Sequence, residues 1–217
     1  EQDVAVSVAA HTGELQADLV ALCTHGRGDF RRAVSGSIAQ QVLRKVDIPV
    51  LLVRPQMQSP TKLNTVMLPL DGTPGAEVAL ALASEISRHC ASRLRLVGVV
   101  PTVGTLRGDR SASARLTPMS SAVALDTEEE DTLGYLQRAV EELGSRGIEA
   151  DMVVRRGDTV QMLADEAQKS NAGLTVIATH GTAGIGAIWA GSIASGLINR
   201  LDHPLLLVKR DPADRTE

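Results

Sequence analysis

Hydrophobic and polar positions follow two different periods from Thr65 onward. Short apolar runs of strand length are separated by longer stretches that repeat their apolar positions with the period of an amphipathic helix. The runs that predict strands are TVMLPL (65–70), RLRLVGVV (93–100), IEADMVVR (148–155), LTVIAT (174–179) and LLLVK (205–209). Alternation of strands and helices in this order predicts an α/β domain with a parallel sheet.

The second connection of this unit is expected to be irregular. A stretch rich in Ser, Ala, Gly and Arg covers residues 101–125 and predicts a long loop. The acidic residues 126–131 then predict the start of a helix, because carboxylates favour the positive end of the helix dipole.

A segment of 34 residues, 21–54, recurs without a gap as 176–209, at an offset of 155 residues. Twelve positions are identical, and they cluster as Thr-His-Gly, Gly-Ser-Ile-Ala, Asp-x-Pro and Leu-Leu-Val. A repeat at about the length of a domain indicates a tandem duplication.

The two copies are unequal in this chain. We expect residues 1–56 to be the C-terminal part of one domain, 57–64 a linker, and 65–211 a complete domain. The third strand of the first copy is expected at DVAVSV (3–8). When this strand is aligned with the third strand of the second copy, the connection that follows it is eight residues shorter than its counterpart. The difference predicts a deletion or a join between separate segments.

Composition excludes several classes of protein. The chain is 43% hydrophobic and 22% charged, and its apolar runs are too short to cross a bilayer, so no membrane association is expected. A net charge of −4 and one each of Trp, Tyr and Phe argue against a nucleic-acid surface. Cys23 and Cys90 lie far apart and form no zinc or disulfide pattern, so the reducing cytoplasm is the expected location.

The repeated segment has the pattern of an anion site. A strand leads to Gly181, nine residues follow, and Gly191-Ser192 begins a helix. Glycines let backbone N–H groups approach phosphate oxygens, and a helix N-terminus supplies unpaired donors. Asp71 ends the first strand, and the first and fourth strands of a doubly wound sheet flank its switch point, so the sequence predicts a nucleotide site there.

Two other nucleotide motifs are excluded. Residues 186–192, GAIWAGS, have the P-loop spacing but carry Ser192 where the phosphate-binding Lys is required. The turn DGTPG (71–75) holds a proline and is not a dinucleotide-binding G-x-G-x-x-G.

These residues resemble the universal stress protein family, whose motif is glycine, two residues, glycine, nine residues, then glycine and Ser or Thr. The chain reads Ala178-x2-Gly181-x9-Gly191-Ser192, and the earlier copy reads Cys23-x2-Gly26-x9-Gly36-Ser37. The strand-end Asp of the family matches Asp71. The first glycine of the motif is replaced in both copies.

The resemblance implies a Rossmann-like open five-stranded parallel sheet of order 3-2-1-4-5 with helices on both faces. It also implies that this domain binds ATP, or AMP or ADP, with Mg²⁺ or Mn²⁺ bound through the phosphates. Adenine would lie near residues 99–101. The implied binding residues are Asp71, Val100, Ala178, Gly181, Gly191, Ser192 and Ile193.

Less specific interpretations stay open for several of these residues. The glycines could form tight turns, and Asp71 could cap the turn that follows it. His25 and His180 recur without a repeated Ser or Asp partner, so loop ordering is favoured over acid–base chemistry. Cys23 is favoured as an apolar filler because Ala178 occupies the equivalent position.

Three functions follow from this sequence. The first is an ATP-binding regulator or sensor without a catalytic residue, which is favoured because the chain shows no evident general base or phosphate-gripping Lys. A weak ATPase or autophosphorylating protein and a nucleotide-free stress scaffold are the alternatives. In each case, residues 49–53 and 204–208 are expected to pair antiparallel about a pseudo-twofold axis, within the chain or between chains as a homodimer.

Overall fold

The computed structural model describes residues 3–23, 37–55, 57, 62–179 and 193–209. The helices are α1 (Val4–Glu14), α2 (Ser37–Lys45), α3 (Pro74–Cys90), a 3-10 turn (Val103–Thr105), α4 (Gly108–Leu116), α5 (Pro118–Ser145), α6 (Thr159–Lys169) and α7 (Ile193–Ile198). The strands are β1 (Val20–Cys23), β2 (Val50–Val53), β3 (Thr65–Pro69), β4 (Arg93–Val100), β5 (Ala150–Arg156), β6 (Leu174–Thr179) and β7 (Leu205–Lys209).

The described strands form one sheet in the order β1-β2-β7-β6-β3-β4-β5. The five strands of residues 65–209 therefore follow the expected order 3-2-1-4-5 and pair in parallel. The sheet itself is wider than the five strands expected, because β1 and β2 extend it to seven. The predicted α/β class with a mostly parallel sheet is confirmed.

Each face of the sheet carries its own hydrophobic core. Buried residues of α1, α2, α6 and α7 pack on one face, against side chains such as Met67 and Val97. Buried residues of α3 and α5 pack on the other, against side chains such as Leu68 and Leu96. Alternate residues of a strand point to opposite faces, so continuous apolar strands fit a sheet covered on both sides.

The expected strand at residues 3–8 is wrong, because this segment begins helix α1. The Asp3 carboxylate accepts a hydrogen bond from the Ala5 amide and caps the helix. Ala5, Val8 and Ala9 then pack into the core at helical spacing. An alternating apolar run thus forms a helix because its buried positions repeat three and four residues apart.

Helix α1 also shows that the expected deletion is wrong. It begins at Val4 and α6 begins at Thr159, so the two helices lie 155 residues apart and have the same length. Both are capped by an Asp side chain, since Asp3 accepts from the Ala5 amide and Asp158 from the Gln161 amide. The repeat therefore runs without a gap from the helix cap to the final strand.

The long loop expected over residues 101–125 is also largely helical. It contains the 3-10 turn, α4 and the first part of α5, which begins at Pro118 rather than at the acidic run. Proline suits the first turn of a helix because no intrahelical partner exists there for an N–H group. Ala114 and Leu125 are buried, which ties α4 and α5 to the rest of the fold.

The final strands of the two copies pair antiparallel within the chain, as predicted. Val50 lies opposite Leu207, Leu51 opposite Leu206 and Leu52 opposite Leu205. Leu51 and Leu206 are equivalent positions of the repeat, so their pair lies on the pseudo-twofold axis.

Equivalent contacts cross this axis on both sides. Arg54 donates to the carbonyl oxygens of Asn199 and Leu201 at the end of α7. Lys209, at the equivalent position, donates to the Arg44 carbonyl at the end of α2, with Nζ and O 3.4 Å apart. Cations at helix C-termini interact favourably with the exposed carbonyls and the helix dipole.

A cysteine pair on the axis should join the two strands. In a chain with Ser at positions 23 and 90, Leu51→Cys with Leu206→Cys should form a disulfide within one chain, since directly opposed Cα atoms lie about 4.5–5.5 Å apart. Leu51→Cys with Leu207→Cys should not, because neighbouring residues of a strand point to opposite faces. Non-reducing electrophoresis with mass measurement separates intrachain from interchain products. A disulfide in the control pair alone would contradict the register.

Candidate functional site

The winding direction of the chain reverses between β3 and β6. β3 pairs with β4 on one side and with β6 on the other, and the chain then continues from β6 to β7, away from β4. In an open parallel sheet, such a reversal leaves a crevice at the carboxyl ends of the two strands. Met67 lies opposite Thr175, so the same register places Asp71 level with Thr179.

Asp71 organises the turn that leads from β3 into α3. Its Oδ1 accepts hydrogen bonds from the Thr73 amide, at 3.1 Å, and from the Thr73 hydroxyl, at 2.6 Å. Gly72 has a φ of +75°, a conformation that glycine adopts without strain, and Pro74 begins the helix. The turn-capping role of Asp71 is therefore present, and Asp71 is also exposed at the crevice.

Val100 ends β4 beside this crevice. Its side chain is buried, and its carbonyl accepts a hydrogen bond from the Gly157 amide at 3.0 Å, on the side of β5. Peptide groups of alternate residues face opposite neighbours, so those of Val99 face the side of β3, where β3 has already ended. The backbone of Val99 is therefore better directed towards the crevice than that of Val100.

The remaining expected site residues fall partly outside the described chain. Ala178 pairs with Val208 in the sheet and is half-buried. Ile193 begins α7 and is 42% exposed, while Ala194 beside it is buried in the core. Gly181, Gly191 and Ser192 lie outside the described residues, as do His180 and Trp189. Among the expected site residues, Asp71 therefore lies level with the end of β6, the strand that precedes the glycine motif in sequence.

Sequence reasoning missed a tyrosine beside Asp71. Tyr135 of α5 donates its hydroxyl to Glu77 Oε1 at 3.0 Å, and Glu77 lies in the first turn of α3. Burial raises the pKa of Tyr135 well above its ordinary value, and the hydrogen bond to Glu77 and the charges of Glu77 and Asp71 raise it further. No local motif signals this contact, because it depends on the packing of α5 on α3.

The tyrosine should therefore resist ionisation. Because Tyr135 is the one tyrosine of the chain, its absorbance near 295 nm reports on a single group. The folded chain should show no ionisation near the ordinary pKa of about 10. Glu77→Gln should bring the transition closer to that value, and the chain in urea should show it there. A folded chain that titrates like the urea sample would contradict the contact.

Ion pairs connect the α4–α5 region to the end of β5 and to the residues that follow it. Arg156 at the end of β5 pairs with Asp126 at 2.5 Å and with Glu129 at 3.0 Å. Arg107 pairs with Asp158 at 2.6 Å. The Gln161 amide lowers the pKa of Asp158, and Arg107 lowers it further against the opposing effect of burial.

The described part of the chain shows no group of three or more His, Cys, Asp or Glu residues arranged to hold a metal ion. Among the helices in the described ranges, none is both long enough and apolar enough to cross a bilayer.

The model of the universal stress protein family matches residues 1–54 and 62–209, which is nearly the whole chain. The chain belongs to this family. The sequence-based resemblance is thereby confirmed.

Two mycobacterial universal stress proteins are similar to the chain. One, from Mycobacterium tuberculosis strain H37Rv, is 25% identical over 203 residues, which is 90% of this chain and 63% of the relative. Another, from Mycolicibacterium smegmatis, is 26% identical over 200 residues, which is 89% of this chain and 62% of the relative. The chain thus spans less than two thirds of their length.

A solved universal stress protein from Archaeoglobus fulgidus DSM 4304 shares the fold. It is 19% identical, with a TM-score of 0.68 over 96% of this chain and 66% of the solved chain. At this identity the likeness establishes the architecture alone. The assignment of the universal stress protein site to Asp71, Val100, Ala178, Gly181, Gly191, Ser192 and Ile193 stays a prediction.

Proposed function

We propose that residues 65–211 bind ATP, or AMP or ADP, as a regulatory or sensing ligand. The observation that supports this most is the position of Asp71. It lies level with the end of β6 at the winding reversal, and the motif Gly181-x9-Gly191-Ser192 follows β6 directly in sequence. An acid and a glycine-rich anion motif would therefore meet where parallel sheets bind nucleotides.

Different residues around the crevice suit the phosphates, the ribose and the adenine of a nucleotide. The phosphates would bind at Gly191, Ser192 and the backbone of Ile193, where a helix begins. Asp71 would accept hydrogen bonds from ribose hydroxyls, since a carboxylate repels phosphate. Adenine would lie by Val99 and Val100, with Mg²⁺ or Mn²⁺ held through the phosphates.

Binding is proposed without efficient turnover. Asp71 is assigned to the ribose in this proposal, and Glu77 accepts the hydroxyl of Tyr135. This leaves neither acid as an evident general base for an attacking water. A weak ATPase or autophosphorylating protein is the alternative, and phosphate release from labelled ATP distinguishes it. A nucleotide-free stress scaffold is the other alternative.

We also propose a cytoplasmic location, from the cysteine pattern, and a division into a partial domain (1–56), a linker (57–64) and the complete nucleotide-binding domain. The pairing of β2 with β7 forms an intrachain pseudo-dimer, which needs no second chain to cover these strand edges.

Asp71→Asn separates ligand contact from turn capping. Asparagine keeps an oxygen that accepts both bonds from Thr73 but removes the charge. Loss of a charge-assisted hydrogen bond to ribose should weaken ATP binding about 10- to 100-fold, which corresponds to about 1.5–3 kcal/mol. Calorimetric titration measures the Kd, and thermal unfolding checks the fold.

Asp18→Asn is the matched control, because it removes the same charge from an exposed position before β1, which lies four strands away from β3 in the sheet. It should leave the Kd unchanged. Equal affinity in wild type and Asp71→Asn would reduce Asp71 to a turn-capping residue.

A further inference from the structure

A buried histidine lies just before β7, the strand that joins the two copies. His203 is 4% exposed and precedes the first residue of β7 by two positions. Its Nε2 lies 2.7 Å from the hydroxyl of Thr175 on β6, and its Nδ1 lies 3.1 Å from Oδ1 of Asp202. Thr175 is fully buried, whereas the carboxylate of Asp202 is exposed. The ring therefore connects β6 to the turn that leads into β7.

The two partners determine which ring nitrogen carries the proton. An ionised carboxylate only accepts hydrogen bonds, so Nδ1 beside Asp202 is the N–H group of the neutral ring. Nε2 is then the acceptor, and the Thr175 hydroxyl donates to it. Within the described part of the chain, this hydroxyl makes no other hydrogen bond. The neutral ring thus satisfies both of its nitrogens and the buried hydroxyl.

A second proton on the ring removes this match. Protonation converts Nε2 from an acceptor into a donor, so His203 and Thr175 then present donors to each other. The hydroxyl must turn away, and its hydrogen loses its acceptor in a buried position, which costs free energy. Burial lowers the pKa of His203 below its ordinary value, against the opposing hydrogen bond and charge of Asp202.

The elements around the ring carry few charges. The strands β3 and β7, which flank Thr175 in the sheet, place apolar residues beside it. At the end of α7, Arg54 of the first copy donates to backbone carbonyls, and on α6 the carboxylate of Glu166 is bound by two arginines. Among the described residues, Asp202 is the charged group that acts on the pKa of His203.

The first copy shows that the fold does not require this polar cluster. Val20 and Ile48 occupy the positions equivalent to Thr175 and His203. Both pack into the hydrophobic core of their copy. The polar pair is therefore a feature of the second copy, at positions where an apolar pair supports the same strands.

Contacts between the copies lie on both sides of the histidine. Leu201, two residues before His203, accepts a hydrogen bond from Arg54 of the first copy. Leu205, two residues after His203, lies opposite Leu52 of β2. We call the paired residues 50–52 and 205–207 the junction.

We propose that His203 makes the junction sensitive to acid, because protonation of its ring breaks the bond with Thr175 and opens the start of β7. The charged ring is stabilised by water, which it reaches only by leaving its place beside β6. Pro204 follows the ring directly, and its carbonyl accepts a hydrogen bond from the Thr175 amide at 3.1 Å. Movement of the ring therefore separates β7 from β6 and weakens the pairing of β7 with β2.

The sign of the pH dependence follows from the burial of the ring. The open form takes up a proton at the ordinary pKa of about 6.5, whereas the closed form stays neutral to a lower pH. The contribution of His203 to the junction is therefore present above about pH 6.5 and is lost as the pH falls towards the folded value. Between pH 7.5 and 5.5, the equilibrium constant for opening should rise by at most about tenfold.

The test gives the second copy the apolar pair of the first. The double variant Thr175→Val with His203→Ile should fold, since the equivalent pair is already accommodated at the same place in the repeat. Hydrogen exchange of the junction, corrected for the intrinsic effect of pH, measures its opening at pH 7.5 and 5.5. Exchange should accelerate several-fold in the wild type and stay constant in the variant. The other four histidines are common to both chains, so their effects cancel in the comparison.

Strand β4, which takes no part in the junction, is the control segment, and its exchange should be the same in both chains. An equal acceleration of the junction in the wild type and the variant would overturn the proposal. An acceleration of β4 as large as that of the junction would also overturn it, because the whole chain would then open.

Proton NMR of the imidazole of His203 gives a second readout that does not depend on the double variant. The ring should titrate below the ordinary pKa of about 6.5 in the folded chain. Asp202→Asn should lower this pKa further, because asparagine keeps an oxygen acceptor for Nδ1 but removes the charge that favours the imidazolium. A ring that titrates at the ordinary value in the folded wild type would contradict the acid-sensitive junction.

Discussion

Replacing Glu166 with alanine should lower the free energy of unfolding by about 3 kcal/mol, the low end of the range for breaking a buried ion pair. Glu166 is 2% exposed, and both of its carboxylate oxygens accept hydrogen bonds. Arg95 donates to Oε1 at 2.9 and 2.7 Å, and Arg155 donates to Oε2 at 2.9 and 2.6 Å. Removing the carboxylate leaves Arg95 with Asp151 as its remaining partner, Nη1 and Oδ1 2.9 Å apart. It leaves Arg155 without the buried carboxylate, although Arg155 can turn towards water.

The same residue should give a pH dependence with a defined sign. Burial by itself would raise the pKa of Glu166, but the hydrogen bonds and charges of Arg155 and Arg95 outweigh it, so the pKa is lowered. The contribution of Glu166 is therefore present above the unfolded pKa of about 4.3 and is lost as the pH falls through the folded value. The difference between wild type and Glu166→Ala should shrink as the pH is lowered from 7 to 3.

Glu128→Ala is the control for Glu166→Ala. Glu128 pairs with Arg110 at 2.5 Å on the exposed surface of α4 and α5. Exposed pairs contribute about 0–1 kcal/mol, so this variant should unfold nearly as wild type does. Urea unfolding of the three chains at pH 7 measures the difference. Equal losses in the two variants would show that the Glu166 cluster contributes no more than a surface pair.

Gly191→Val should remove detectable ATP binding, since a branched side chain would stand where phosphate approaches the helix start. Ser192→Ala should weaken binding about 10- to 100-fold if its hydroxyl contacts phosphate. Trp189, the one tryptophan of the chain, lies two residues before Gly191 and provides the readout. Its emission should change saturably with ATP in wild type and remain constant in Gly191→Val.

Gly36→Val is the matched control, because Gly36 is the equivalent glycine of the first copy. That copy has no counterpart of Asp71 in this chain, so the response of Trp189 should persist. A full response in Gly191→Val, or its loss only in Gly36→Val, would show that the site belongs to the first copy.

The architecture around the site could be predicted because it follows from patterns of long range. Five apolar runs at βα spacing predict the strands of a parallel sheet, and the family resemblance implies their order. The 155-residue repeat, with an apolar final strand in each copy, predicts the pairing of β2 with β7. Parallel winding then places Asp71 beside the end of β6 without any knowledge of side-chain packing.

The errors arose where local signals compete. Residues 4–8 alternate like a strand, and only the cap at Asp3, repeated at Asp158, identifies the helix. Residues 101–125 are polar enough to resemble a loop, yet alanine and arginine favour helices. The buried Ala114 and Leu125 and the ion pairs of Arg107 and Arg110 tie them to the fold. Tyr135 beside Glu77 required the tertiary packing itself, since 58 residues separate them.

Calorimetric titration of ATP into the purified chain, after removal of any bound nucleotide, measures nucleotide binding itself. We expect one ATP per chain with a Kd below about 100 μM, equivalent to a binding free energy of at least about 5.5 kcal/mol. The heat should disappear in Gly191→Val while thermal unfolding of that variant remains cooperative. A folded wild-type chain that does not bind ATP, ADP or AMP at millimolar concentration would contradict the proposed nucleotide site and favour the nucleotide-free scaffold.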